Sequence, residues 1–148
     1  MLFEQVNRTD AEKVFAVFTN SFAGTLVNGD LLEWDVSGAA ATLGVNCTKS
    51  QTLRGPRVAG VCATPFTVNT SGIGFMQIYG YHSAVKTTTT VTVSTVVPIC
   101  ADTSGKAVNY TASTTSLSAT GTAEVRSIIG FAATVTDTNS SGILLRLM

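Results

Sequence analysis

Charge is scarce in this sequence. Only 12% of its 148 residues are Asp, Glu, Lys or Arg, about half the roughly 25% of an ordinary globular domain. Nine basic residues balance nine acidic ones, so the chain lacks the basic excess that holds a phosphate backbone, which excludes nucleic acid as a partner. Histidine occurs once, at His82, and any Ser-His-Asp triad or His-based metal site rests on it alone. The cysteines Cys47, Cys62 and Cys100 are odd in number and form no C-x-x-C pair. That argues against a disulfide framework or a zinc ribbon and for small buried thiols in a chain kept reduced. No run approaches about 18 consecutive apolar residues, so no membrane span is expected. The segment Met1 to Asp10 lacks the basic flank and apolar core of a secretory leader. Without a leader, the N-x-S/T tripeptides at Asn7, Asn46, Asn69, Asn109 and Asn139 carry little weight.

What is present is apolar and β-branched. Hydrophobic residues make up 45% of the chain, which excludes intrinsic disorder, and the length suits one domain with a core. The dominant period is two. Val91 and Val93 share one face of Val91–Val97 while Thr92 and Ser94 share the other, the pattern of a half-buried strand. Phe75, Tyr79 and Tyr81 likewise share a face of Phe75–Tyr81, and Val58–Ala63, Val108–Ala112 and Ile143–Leu147 are further short runs. Asn28-Gly29-Asp30 predicts a hairpin between Gly24–Val27 and Leu31–Val36, and Asp102–Gly105 predicts a second turn. Thr9–Glu12 has the form of a helix capping box, but Val14, Phe15, Val17 and Phe18 are strand formers, so a strand over about Lys13–Thr19 is favoured.

The chain also repeats itself at an offset of seventy residues. Val58–Thr64 falls on Ile128–Thr134, and Asn69–Ile73 then falls on Asn139–Ile143 without a gap. Two strand-loop-strand units, 58–78 and 128–148, are expected within a single β-domain spanning 13–148. Two copies are too few for a solenoid.

The search for chemistry is nearly empty. Glu33 and Asp35 lie two apart with Trp34 between them, raw material for glycoside hydrolysis or, with Asp30, a calcium site; a solvated hairpin edge is the simpler reading. Gly72-Ile73-Gly74 lacks both the third glycine and the helix of a dinucleotide fingerprint. The threonines from Thr87 to Thr92 offer one row where an ice-binding face needs many. Lys49, Arg54 and Arg57 form a small basic cluster suited to an acidic contact. No catalytic residue, cofactor or metal is called for. Trp34, Tyr79 and Tyr81 keep a glycan-binding β-module open as an alternative.

With these runs in order, from Glu12–Asn20 and Gly29–Asp35 through Val58–Ala63 and Gly72–Gly80 to Ile129–Ala132 and Leu144–Leu147, the chain resembles the capsid decoration (cement) proteins of tailed bacteriophages over nearly its whole length. The resemblance implies a compact all-β fold, an antiparallel β-barrel or β-sandwich preceded by an extended arm over residues 1–12. It also implies a non-enzymatic virion protein on the outer capsid surface, a homo-oligomer with the trimer favoured, whose partner is the major capsid protein. Expected contact residues are Leu2, Phe3, Val6 and Arg8 in the arm, with Arg54 and Arg57 in the basic loop.

Overall fold

The computed structural model describes residues 12–37, 44–51, 57–88, 98–110, 128–137 and 139–146. The strand expected over 91–97, Arg54 and all but the last residue of the expected arm lie outside these. Nine strands carry the described fold: β1 (Val14–Asn20), β2 (Leu31–Trp34), β3 (Asn46–Lys49), β4 (Val58–Cys62), β5 (Ile73–Lys86), β6 (Pro98–Ala101), β7 (Ala107–Asn109), β8 (Ile128–Asp137) and β9 (Ser140–Arg146). The all-β expectation is met, and the segment with the capping-box form enters a strand at Val14. β-Branched and aromatic residues in VFAVF outweigh a local helix start once a sheet is there to receive them.

The order β1-β3-β2-β4-β5 closes on itself through a β1–β5 pairing, giving a five-stranded barrel. All of its pairings are antiparallel except β1/β3, which is parallel. The barrel interior holds Phe18, Leu26, Leu32, Cys47, Cys62 and Met76, all fully buried. Alternation along β2 explains the second core: Leu32 points into the barrel while its neighbour Leu31 points out, joining Val61 against Ile99, Ile129, Ile143 and Leu145.

Those residues belong to a second sheet, in which the far half of β5 continues to β9, β8, β6 and β7. A parallel bridge between Thr87 and Ala107 returns β7 to the end of β5. β5 is therefore common to both sheets. Ile73 to Tyr79 pair with β1, while Tyr79 to Lys86 pair with β9. The two halves of the repeat occupy the antiparallel pairs β4/β5 and β8/β9. Their registers differ, with Val61 opposite Gln77 in one and Gly130 opposite Leu145 in the other.

The changeover in β5 falls at Gly80, whose φ is +94°. A Cβ there would lie 2.1 Å from the Glu12 carbonyl oxygen, so both the backbone angle and the space exclude a side chain.

The hairpin expected around Gly29 does not form. Asn28-Gly29-Asp30 does turn the chain, but it joins no hairpin: Leu26 bridges Val68, and β2 pairs with β3 and β4 instead. The turn docks between strands, with Gly29 N donating to the Cys62 carbonyl at 2.9 Å and Lys86 N to the Gly29 carbonyl at 3.0 Å. Asp30, 1% exposed, accepts from Val27 N at 2.9 Å through Oδ2. Its Oδ1 lies 2.7 Å from Lys86 Nζ, and Oδ2 lies 3.2 Å from Lys49 Nζ. One buried carboxylate thus ties β3, the turn and the end of β5 together.

Two predictions follow from these junctions. Gly80→Ala should cost at least about 2 kcal/mol, because left-handed strain adds to a backbone clash. Gly44→Ala, at φ +79° with nothing within 4 Å, should cost only about 1 kcal/mol. Asp30→Ala should cost about 2–4 kcal/mol, since it strands two lysines and a turn amide, and Asp30→Asn should cost less by keeping the bond to Val27. Urea denaturation midpoints measure all four.

Candidate functional site

The residue types singled out for chemistry are positioned mainly by β2 and β3. Glu33 is not on a solvated edge, as expected above, but 4% exposed. β2 lies between β3 and β4, so neither of its edges is free. Ser50 Oγ lies 2.7 Å from Glu33 Oε1 and 3.0 Å from the Asp102 carbonyl oxygen, one hydroxyl serving both. Asp35, just beyond β2, accepts bonds from the Ser37 hydroxyl and the Ser37 amide. These bonds, the hydroxyl's first, hold its carboxyl below the usual carboxylate range.

Glu33 and Asp35 line an open groove of about 340 Å³ with Ser21, Phe22, Thr48 and Gln51. Phe22 and Gln51 also line an adjoining groove of about 480 Å³ with Lys49, Thr103 and Ser104. Asp35 is thus stabilised as the anion, and Glu33 is engaged by Ser50. Among the described residues there is no group of three His, Cys, Asp or Glu side chains fit to hold a metal.

His82 is buried in β5, 6% exposed, with Nδ1 accepting from Ala84 N at 3.3 Å. Burial lowers its pKa below the ordinary 6.5, and the Lys13 charge adds to this, while a hydrogen bond to the Cys62 backbone opposes it. It is a neutral structural imidazole. Cys47, Cys62 and Cys100 are buried thiols outside any disulfide. Burial, with the Asp35 charge adding to it, pushes the Cys47 thiol up to about 12, so it is no nucleophile at neutral pH.

Of the basic cluster, Lys49 is held by Asp30 and lies 5.4 Å from the centroid of the Phe22 ring, and Arg57 is exposed. The carbonyl of Arg57 accepts from Trp34 N at 3.0 Å. Leu2, Phe3, Val6, Arg8 and Arg54 lie outside the described residues.

The three aromatics do not form a platform either. Trp34 packs partly buried against the barrel core, Tyr79 is exposed on the outer wall, and the Tyr81 hydroxyl is 3.0 Å from Thr134 Oγ1.

The structure adds one feature that the search for chemistry passed over. Phe15 and Val17 on β1 face outward beside Phe75 and Ile73 on β5, all about half exposed or more. The signal lies in the unbroken apolar run Val14–Phe18: its inward residue Phe18 fills the barrel, so the alternate residues have only the outside to face.

No protein-family model matches the chain, and no curated protein matches it. Among solved structures the fold is similar to the N base of head fiber gp8.5 in bacteriophage phi29. The TM-score is 0.55, and the match covers 90% of this chain and 95% of that one at 12% identity. At that identity the likeness is one of fold.

The buried imidazole makes a pH prediction. The unfolded chain binds a proton near pH 6.5 and the folded chain only at lower pH, so stability falls as pH drops through 6.5. Thermal melts between pH 7.5 and 5.5 should therefore show a falling midpoint, and His82→Gln should flatten that slope.

Proposed function

We propose that this chain is a structural protein of a tailed-phage virion. It sits on the outer surface of the assembled capsid and stabilises the shell by clamping neighbouring major capsid subunits. The observation that carries the reading is the fold likeness to a phage head fiber base along nearly the full length of both chains. Two features support it. The candidate chemical residues are engaged within the fold: Glu33 is buried and bonded to Ser50, Lys49 is paired with Asp30, and His82 is buried. The sheet also presents an apolar wall to the outside, which suits a protein that works by contact.

The mechanism is linkage. A protein that binds the closed shell and not the separated subunits shifts the equilibrium toward the shell, and many copies multiply the effect. The arm supplies anchors at Leu2, Phe3 and Val6 that suit addition to a neighbour's sheet edge or groove. Arg8, Arg54 and Arg57 suit acidic groups on the capsid.

Co-sedimentation with expanded and unexpanded empty capsids of the phage that encodes the chain tests this. The full-length protein is expected to pellet with at least one form and to raise its disruption temperature. Deleting residues 1–8 should weaken pelleting by tenfold or more, an order set by losing about 1.4 kcal/mol or more of contact. Absence from both pellets would overturn the capsid reading, and unchanged binding by the truncated chain would overturn the role of the arm.

A further inference from the structure

The outer side of the barrel is apolar on two walls, and among the described residues one is buried and the other is exposed. On the β2/β4 wall, Leu31 and Val61 are fully buried beneath the second sheet. On the β1/β5 wall, Val14, Phe15, Val17, Ile73, Phe75 and Tyr79 remain between 39% and 65% exposed. The pairing puts these six on one side of the β1/β5 ladder, with Phe15 opposite the buried Gln77. Val17 lies directly opposite Phe75, Thr19 opposite Ile73 and Val14 opposite Tyr79. A bulge between Val14 and Phe15 turns both of these neighbours outward. Leu144 on β9, 46% exposed and opposite Tyr81, extends the surface beyond Tyr79.

We propose that the β1/β5 wall is where copies of this chain meet, gathered about a symmetry axis that brings the same wall of each copy together. Three observations favour a second copy as occupant. The exposed parts of these side chains amount to roughly 600 Å², at the upper end of what a monomer leaves open and close to the ~800 Å² per partner of a stable interface. The seven positions are all apolar or aromatic, with the charged Lys13 next to Val14 and Arg146 paired opposite Tyr79 at the margin, and the chain's zero net charge sets up no net repulsion between copies. Finally, the fold already covers the same kind of wall in cis with a sheet of its own. Two outward faces of β-sheet pack at about 10 Å when their side chains interdigitate. The inference concerns contact between copies and holds independently of what the assembly binds.

Phe75 lies opposite Val17, two residues from Ile73 and from the buried Gln77 along β5, and the proposed contact brings the Phe75 side chains of adjoining copies close together. Sedimentation equilibrium of the full chain tests this. The wild-type protein is expected to be oligomeric, with its mass giving the copy number. Phe75→Glu and Phe75→Lys, which alter an exposed side chain, are each expected to keep the wild-type circular dichroism and to weaken association at least tenfold. Mixed together they are expected to associate again, as opposite charges meet across the axis. Val36→Lys, beyond β2 on the far side of the barrel, is expected to change nothing. A wild-type chain still monomeric at about 100 µM, a Phe75→Glu chain that associates like wild type, or a mixture that stays monomeric overturns the proposal. Equal weakening by Val36→Lys overturns the assignment to this wall.

Discussion

The architecture depends on one strand belonging to two sheets. β5 is fourteen residues long, more than twice the usual five or six. Its first half closes the barrel and its second half begins the other sheet. Sheets twist, so a strand that served both without a break would carry the twist of one into the other. Gly80 provides the break, with a positive φ and the Glu12 carbonyl in the space a side chain would need. The approach to β1 therefore crosses β5 at the point where β5 changes partners. Barrel closure by β1 and the handover to β9 are consequences of that single position.

The few charges of the chain gain importance from their scarcity. Asp30, Lys49 and Lys86 meet where the turn before β2 reaches the end of β5, and Glu33 lies nearby on Ser50. In water each such pair would contribute a fraction of a kcal/mol. Around a carboxylate that is 1% exposed, removing one partner leaves a buried group unsatisfied, which costs several times more. The ionic groups thus serve to seat one sheet on the other, and the residues that first suggest chemistry serve structure.

Local pattern made the strands legible and left their partners hidden. Alternation along Phe75–Tyr81 and the β-branched content of Val14–Phe18 mark strands correctly. Asn28-Gly29-Asp30 marks a real turn, yet a two-residue turn signal implies that its flanks pair with each other. Here Val68 takes Leu26, and β4 takes β2, choices made by residues between 25 and 42 positions apart. Glu33 was misjudged for the same reason. Its acidity suggests an edge, but exposure depends on whether both neighbours of β2 are occupied, and they are. The pairing of Trp34 with Tyr79 and Tyr81 fails because same-face reasoning holds within one strand. Between strands the face depends on register and closure, which put Trp34 against the barrel core and Tyr79 on the outer wall.

The low charge and the open wall are two sides of one constraint. In a chain whose polar positions are mostly Thr and Ser, a sheet face can be buried without the desolvation cost that charged side chains carry. Such a face is correspondingly poor at resisting burial. A long-lived monomer would need charge along β1 and β5, the usual defence of an exposed sheet against association. Here the inward residues Phe18 and Met76 fill the barrel while the outward residues Val17 and Phe75 are as apolar as the core. In the proposed contact between copies, this apolar wall, on a molecule with no net charge, is the face that would be buried.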